Sequence, residues 1–278
     1  MSSMLGVLIL ASVSWPTLPP SYLDLPAQHT HHAALFSNGV PEFNRLVLRG
    51  VDEVQSHAML GGGYFIGVKA NPPESPIGYT LRLEGRPLLD PPRTSSFCTG
   101  ASYGAFIEAL NLWMPQGRSA TGDWNRLPET VPLRLSDERF EALRMQESSG
   151  RRREDHVKFW GHWNADGFGN HFALVQYSKM GSVVKPQQAK SGDFINISWK
   201  SGNGHSAVFL GWCLDRRGRK AVRFWSSQVG TCGLGDQVSS IDSIRSVCIV
   251  RVTKPLRIYG FNPAQQVDQP APGFEVGW

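Results

Sequence analysis

Cys98 is the residue whose surroundings best equip it for chemistry. Residues 94–103 read TSSFCTGASY, a pattern that predicts a helix beginning at the cysteine. The partial positive charge at a helix N-terminus stabilises a thiolate over a thiol, so this position is expected to lower the pKa of the cysteine. A thiolate is a strong nucleophile, and what Cys98 lacks in its own segment is a general base.

His205 is the candidate base. It lies much further along the chain, in the segment GNGHSAVFLG at residues 202–211. Side chains alternate along the strand predicted over 206–212, so His205 shares a face with Ala207 and Phe209, at a sheet edge that a helix N-terminus can reach. A thiol beside an imidazole can attack an amide carbonyl, and the two residues together predict a cysteine hydrolase.

The elements that position these residues change in type along the chain. Apolar residues at helical spacing predict helices over 41–60, 98–113 and 170–180, and the small residues Ala101, Ala105 and Ala109 predict close contact of the cysteine helix with a sheet. Alternating or apolar runs predict strands at 64–68, 79–83, 194–199, 206–212, 221–226 and 246–252. Helices first, then strands with short glycine links, predict an α+β fold with an antiparallel meander.

The predicted domain organisation is one catalytic domain at 41–257, with an insertion around 115–165 that contains one amphipathic segment near 137–145. An apolar run at 4–11 followed by small residues predicts an export signal, hence a periplasmic or secreted protein. Residues 15–40 predict a linker, because no carboxylate or cysteine is interleaved with His29, His31 and His32. Residues 258–278 predict an extension that packs through Phe261, Phe274 or Trp278.

Composition limits the class of protein. The 278 residues are 41% hydrophobic and 18% charged, with a net charge of +5, which fits one globular domain. The basic runs at 151–153 and 216–220 carry no nucleic-acid-binding motif, although a basic surface favours approach to an anionic polymer. No run reaches the roughly 18 apolar residues of a membrane span. We expect no nucleic acid, no integral membrane span, no cofactor and no metal, and the oligomeric state is left open.

The cysteines other than Cys98 are Cys213, Cys232 and Cys248. Three thiols cannot all pair within one chain, so at most one disulfide is predicted, and its pair is left open. No two cysteines have CxxC spacing, which excludes a structural zinc site of that type.

The order of these segments resembles the NlpC-type peptidoglycan hydrolases and the related CHAP-type amidases, which are papain-like. In those families a cysteine opens a helix, a Pro-Gly-Asp-Leu turn precedes a strand, and His-Val-Gly-Ile-Tyr-Leu-Gly carries the base. Here Ser191-Gly192-Asp193-Phe194 stands at the turn and His205 to Gly211 at the base. The resemblance covers about residues 94–113 and 189–230. It implies a nucleophile helix packed on an antiparallel meander, and a substrate in the stem or cross-link peptides of peptidoglycan.

The resemblance also implies supporting roles. A third polar group on the strand after the histidine strand orients the imidazole, and alternation leaves Ser226 and Gln228 as candidates. Gln228 has the longer reach and a carbonyl that can accept from the ring N–H, but the choice between the two is left open. The oxyanion is met by the backbone N–H of Cys98 and a side-chain donor. Tyr64, which resembles a tyrosine upstream of the nucleophile in NlpC-type enzymes, and Ser96 are the candidates for that donor.

Three other functions are compatible with parts of the sequence. A thiol acyltransferase or lipid-directed hydrolase would use the same scaffold and thiolate. A non-catalytic cell-wall-binding module would use exposed aromatic residues at 159–163, but the intact Cys98 and His205 argue against it. A zinc amidase is disfavoured because its candidate ligands have irregular spacing and no HExxH motif. Those ligands are Asp155, His156, His162, Asp166 and His171.

Overall fold

The structure is a computed structural model that describes residues 15–70, 74–90, 93–114, 134–144, 159–160, 169–265 and 273–277, with only the backbone of Val68. Its helices are α1 (His32–Phe36), α2 (Glu42–Ser56), α3 (Cys98–Trp113) and α4 (Asp137–Ala142), together with a π-helical segment at Phe172–Tyr177. Its strands are β1 (Leu81–Leu83), β2 (Arg86–Leu89), β3 (Gly181–Val184), β4 (Phe194–Trp199), β5 (Gly204–Leu214), β6 (Lys220–Gln228), β7 (Gly233–Ser240) and β8 (Ile244–Val252). The fold is α+β, as predicted.

A six-stranded antiparallel sheet forms the centre of the molecule, in the order β3-β8-β4-β5-β6-β7. Strands β4, β5 and β6 pair in sequence as the predicted meander requires, but the next strand in it is β7, which was not predicted, and not the predicted strand at 246–252. Strand β8 then returns to pair with β4, and β3 pairs with β8. The sequence analysis missed β3 and β7, because neither carries a clear apolar alternation. Strands β1 and β2 form a separate hairpin.

Both faces of this sheet are buried. Apolar side chains are therefore found at consecutive positions of its strands, and not only at every second position. On one face, Phe194, Val208 and Trp225 join the apolar core that α2 and α3 contribute. On the other face, Phe209 and Phe224 belong to a second core. The sheet is therefore held from both sides and gives the site a rigid support.

The small residues of α3 contact α2, whereas the sequence predicts that they contact the sheet. At Gly50 of α2 an added Cβ would overlap the carbonyl oxygen of Ala105 and lie 3.0 Å from the backbone nitrogen of Ala109. Two helices that cross the same face of a sheet can approach this closely only where side chains are small. Another side of α3 contacts the sheet through Ser102, whose Oγ lies 2.7 Å from that of Ser206.

Several predicted elements differ from the structure. Residues 64–68 form isolated bridges and a 3₁₀ turn rather than a strand, with Tyr64 paired to Ser96. The helix predicted over 170–180 is the shorter π-helical segment, and the one predicted over 41–60 ends at Ser56. The amphipathic segment near 137–145 is α4, whereas most of the predicted insertion lies outside the described residues. Phe159 and Trp160 are fully buried, so neither of them belongs to the exposed aromatic surface that a wall-binding module would use, and the rest of 159–163 lies outside the described residues.

Residues 15–40 are packed on the core instead of forming the predicted linker. The Trp15 ring lies 5.0 Å from that of Trp212, and the backbone N–H of Leu18 donates to Trp212 O at 2.7 Å. The predicted export signal at 4–11 lies outside the described residues. At the other end, Phe261 is buried and Phe274 exchanges backbone hydrogen bonds with Val247, while Trp278 lies outside the described residues.

Two histidines of the predicted linker join a buried ionic network, which consists of His29, His32, Asp52, Arg223 and Asp236. The His32 ring lies 2.7 Å from Asp52 Oδ1 through Nδ1 and 2.9 Å from Asp236 Oδ1 through Nε2. Asp236 Oδ2 also accepts from Arg223 at 2.7 and 2.8 Å and lies 3.3 Å from His29 Nε2. Composition does not show this packing, because the carboxylates come from α2 and β7 rather than from the histidine segment.

His32 makes the stability of this network depend on pH. Burial lowers the His32 pKa, but hydrogen bonds to Asp236 and Asp52 and their negative charges together raise it above its ordinary 6.5. A group with a raised folded-state pKa stabilises the fold below its unfolded pKa and loses that contribution as pH rises through the folded pKa. Ionised carboxylates can only accept, so both His32 nitrogens donate and the ring is an imidazolium.

We expect the free energy of unfolding of the wild type to fall as pH rises above about 6.5, because His32 then loses its proton. His32→Gln should not show this fall. One proton accounts for at most about 1.4 kcal/mol per pH unit. Urea unfolding of the wild type and the variant from about pH 6 to pH 9 measures this. A wild-type-minus-variant difference that stays constant across that range contradicts the assignment.

Candidate functional site

Cys98 is held at the first position of α3 by the chain that leads into the helix. Phe97 donates its backbone N–H to Pro76 O at 2.9 Å, and Ser96 donates to Gly63 O at 3.0 Å. An added Cβ at Gly100 would overlap Pro76 O, so only glycine lets the first helical turn lie this close to that loop. The thiol is therefore fixed in place, with 2% of the residue exposed.

His205 lies near the start of β5 and is oriented by Gln228. Its Nε2 lies 3.3 Å from Gln228 Oε1. Gln228 in turn donates through Nε2 to Thr231 Oγ1 at 2.7 Å and to Gly235 O at 2.9 Å, which leaves its Oε1 to accept from the ring. The Nε2–H tautomer follows, and Nδ1 of His205 is free to accept a proton.

Strand register distinguishes the two candidates for the orienting group. The ladder between β5 and β6 begins at the pair Val208 and Trp225, and counting three residues from each toward the start of β5 leads to His205 and Gln228. Ser226 donates instead to the backbone carbonyl of Ser206 at 2.6 Å. Of the two, Gln228 contacts the imidazole, and Ser226 joins neighbouring strands.

The thiol and the imidazole line the same cavity near the start of β5. Helix α3 packs on the face of the sheet that carries Ser206, and alternation puts His205 on the other face with Ala207. The backbone N–H of Ser206, directly after His205, donates to the Cys98 thiol. Cys98, His205 and Gln228 all line one cavity of about 580 Å³.

The walls of this cavity combine aromatic and polar side chains. The His205 ring lies 5.4 Å from that of Phe224 and 6.4 Å from that of Trp199. Other described residues that line it are Tyr64, Ile66, Lys69, Phe97, Asn203, Gly204, Val229, Gly230 and Gln237. A mixed lining of this kind can hold an apolar body and orient it through a few polar groups.

The two candidate oxyanion donors differ in position. Tyr64 lines the cavity, with its ring 5.8 Å from that of Phe97. Burial, and then the charge of a Cys98 thiolate, raise the pKa of Tyr64 well above its ordinary value, so its hydroxyl stays protonated and can donate. Ser96 is buried, and its Oγ donates to Ser227 Oγ at 2.7 Å. Its hydroxyl is thus engaged away from the cavity, and Tyr64 is the better placed donor.

Burial reverses the expected effect of the helix N-terminus on Cys98. Removal from water raises the pKa of the thiol to about 11, although N–H groups of Ser206 and Thr99 and the Thr99 hydroxyl favour the thiolate. Burial likewise lowers the pKa of His205 to about 4 against the opposing hydrogen bond to Gln228. At neutral pH the resting site therefore holds a neutral thiol and a neutral imidazole.

The Gly-Asp turn before β4 has a structural role in this arrangement. The Asp193 side chain is fully buried and accepts from Arg251 at 2.7 and 2.8 Å and from Asn44 at 2.7 Å. Gly192 has φ +85°, and an added Cβ would lie 2.5 Å from Asn44 O. The turn thus joins α2 to the sheet that carries His205.

All four cysteines are free thiols, so no pair forms the disulfide that the sequence leaves open. Cys213 and Cys248 are buried and Cys232 is exposed. Burial raises the pKa of Cys248 to about 12, which makes it unreactive at neutral pH.

Among the described residues, the group best suited to hold a metal ion is His29, His32 and Asp236, whose ligand atoms lie within 4.8 Å of one another. These atoms already bind one another or Asp52, and the Arg223 guanidinium lies 2.7 Å from Asp236. The guanidinium would repel a metal cation at this position, so protonated histidines suit the network better than a metal ion does. Of the zinc-amidase candidates, His171 is the one that falls within the described residues, and it is buried.

Comparison with known proteins identifies no relative: no family model, curated protein or solved structure matches the chain. None of the helices in the described ranges has the length and apolar character needed to cross a membrane.

The groups that hold Gln228 and several that shape the cavity were not predicted from the sequence. Thr231 contacts Gln228 because the chain turns back immediately after β6, in a 3₁₀ turn at Val229–Thr231. A polar residue three positions after a strand end is a weak signal for such a contact. Trp199 and Lys69 carry no signal of this kind, because their place in the cavity depends on long-range packing.

Proposed function

We propose that the protein is a cysteine hydrolase that cleaves amide bonds in peptides, with the stem or cross-link peptides of peptidoglycan as substrate. The observation that carries the proposal is the arrangement of Cys98, His205 and Gln228 around one cavity. Helix α3 on an antiparallel sheet supports the papain-like, NlpC-type scaffold that the motif order implies. A periplasmic or secreted location follows from that substrate.

The reaction begins when a peptide carbonyl enters the cavity beside the Cys98 sulfur. Nδ1 of His205 takes the thiol proton as the sulfur attacks the carbonyl carbon. The carbonyl oxygen gains negative charge and is met by the backbone N–H of Cys98 and the hydroxyl of Tyr64. Collapse of this intermediate breaks the C–N bond, and His205 returns its proton to the leaving amine. Water then hydrolyses the thioester, with His205 again as base.

The neutral resting state determines when the proton moves. Because burial favours the uncharged thiol and imidazole, an ion pair in the empty site is costly. The developing oxyanion and its donors offset that cost, so proton transfer accompanies attack. Gln228 stabilises the imidazolium that forms, since its Oε1 accepts a hydrogen bond from the Nε2–H group in either protonation state of the ring.

Digestion of purified peptidoglycan and of synthetic stem peptides tests the proposal. Mass spectrometry of the products should show new amino and carboxyl termini at one type of peptide bond. Failure to release any fragment from the polymer or from the peptides would contradict the proposed function.

A second candidate is acyl transfer or hydrolysis on an ester or lipid substrate, by the same thiolate. The aromatic side chains of Tyr64, Phe97, Trp199 and Phe224 in the cavity favour it, because they can bind an apolar acyl group. Incubation with a thioester-forming acyl ester and a primary amine distinguishes the two, since an amide product rather than peptide fragments would support the second candidate.

Thr231 is expected to act on turnover through Gln228. Thr231→Val removes the acceptor for Gln228 Nε2, and a lost hydrogen bond of about 1 kcal/mol corresponds to roughly a fivefold lower kcat. The KM should be unchanged, because Thr231 is not among the residues that line the cavity. Thr231→Ser keeps the hydroxyl and should retain activity. Equal losses in the Val and Ser variants would contradict this role.

A further inference from the structure

The cavity around Cys98 carries an unbalanced positive charge. Among the described residues that line it, Lys69 is the one charged at neutral pH, because no carboxylate lines it and Cys98 and His205 are neutral. The other polar side chains there are amides and a phenol. Electrostatics within a partly enclosed cavity act more strongly than on an open surface.

The backbone holds Lys69 at this wall. It ends a 3₁₀ turn at Gly67–Lys69, where its N–H donates to Ile66 O at 3.0 Å. Glu74 donates its backbone N–H to Gly67 O at 3.1 Å, and an added Cβ at Gly67 would overlap Glu74 O. Tyr64 and Ile66 line the cavity beside this turn, so Lys69, an exposed residue at the rim, belongs to the same part of the lining as the candidate oxyanion donor.

The acidic residue nearest to this turn in the described chain does not neutralise Lys69. Both Glu74 carboxylate oxygens accept from Arg93, at 2.6 and 3.2 Å. The Arg93 guanidinium also stacks on the Phe65 ring, 3.7 Å from its centroid, which keeps that ion pair in place. Within the described residues, no salt bridge joins Lys69 to a carboxylate. The lysine is therefore left for an anion that the substrate brings.

We propose that Lys69 binds a carboxylate of the substrate close to the scissile bond and that the site prefers peptides with an acidic group there. The inference rests on the proposed function and adds the chemical class of the substrate. A carboxylate can come from an acidic side chain or from a free C-terminus, and both would place a negative charge opposite the same ammonium group.

Matched peptides test the preference in the wild type. Each peptide is compared in three forms. The first has an acidic side chain beside the scissile bond and an amidated C-terminus, and the second replaces that side chain by its amide. The third has the amide side chain and a free C-terminal carboxylate. We expect about a threefold to fivefold higher kcat/KM for one of the carboxylate forms, because Lys69 is exposed and solvent weakens its attraction to a carboxylate. The form that is preferred identifies the source of the carboxylate. Equal rates for all forms would overturn the inference while leaving the hydrolase intact.

Charge variants assign the preference to Lys69. Lys69→Met should abolish it and Lys69→Glu should reverse it, whereas Lys185→Met, at an exposed lysine that does not line the cavity, should leave it unchanged. An unaltered preference in Lys69→Met would overturn the inference.

Binding to the Cys98→Ala protein gives a readout that does not need turnover. Calorimetry should show tighter binding of the carboxylate peptide than of its amide, and Lys69→Met in this background should remove the difference. Equal affinities would count against the inference. Absence of turnover in the wild type together with a carboxylate preference in binding would instead remove the proposed hydrolysis and retain the Lys69 site.

Discussion

Cys98→Ala is expected to lower hydrolysis of peptide substrates by at least about a thousandfold. The variant has no atom that can form the thioester, so covalent catalysis is lost and only binding and oxyanion contacts remain. The cavity shape changes little, because alanine keeps the Cβ at the start of α3. Steady-state rates on a stem peptide, with product analysis by mass spectrometry, measure the loss.

Matched cysteine variants separate nucleophilic attack from other effects of a lost thiol. Cys232 is exposed and does not line the cavity, so Cys232→Ala should keep full activity. Cys98→Ser tests the atom itself, because a hydroxyl is a weaker nucleophile than a thiol with the same neighbours. Undiminished turnover in Cys98→Ala, with an unchanged unfolding curve, would contradict the mechanism.

Asp236→Asn is expected to produce the largest loss of stability, about 3–5 kcal/mol in the free energy of unfolding. The Asp236 side chain is 2% exposed and its two oxygens accept from Arg223 and His32 and lie within reach of His29. Asparagine leaves the Arg223 guanidinium and the His32 imidazolium without a balancing charge. Its NH₂ group would also face their donors, so the buried network would lose hydrogen bonds as well as charge.

Chemical unfolding at neutral pH measures this loss. Asp242→Asn is the matched control, because Asp242 is exposed and its replacement should change the free energy of unfolding by less than about 0.5 kcal/mol. Burial by itself raises the Asp236 pKa, but His29, His32 and Arg223 reverse this and hold it below its ordinary 3.8. That contribution is present above about pH 4 and is lost as pH falls further. A loss of under 1 kcal/mol would show that the network adds little.

The sequence predicts the elements that carry the site better than the contacts between them. Helical spacing after Cys98 places α3 correctly at Cys98–Trp113, and alternation after residue 205 places β5. These are local patterns, in which the polarity of each side chain indicates the face of the helix or strand on which it lies. Local patterns leave the choice between Ser226 and Gln228 open, because both residues share one face of β6. Register with β5 and the reach of the side chain decide that Gln228 meets His205.

Errors in the sequence analysis occur where partners are distant in the chain. The segment that contains His29 and His32 is predicted to be a linker because no carboxylate or cysteine is interleaved with its histidines, yet Asp236 comes from more than two hundred positions away to pair with them. The small side chains of α3 predict close packing, but nothing in α3 indicates that Gly50 of α2 is the surface they meet.

Cys98 shows the division between sequence and tertiary structure most clearly. The sequence alone determines that the thiol begins a helix and that a histidine strand follows a Gly-Asp turn, because both depend on local spacing. Only the tertiary structure decides that burial outweighs the helix N-terminus and raises the thiol pKa to about 11, and that His205 is neutral. Desolvation depends on every atom packed around a group, and those atoms come from all parts of the chain. The same packing places Lys69 at the cavity, while the Glu74 carboxylate nearby is paired with Arg93.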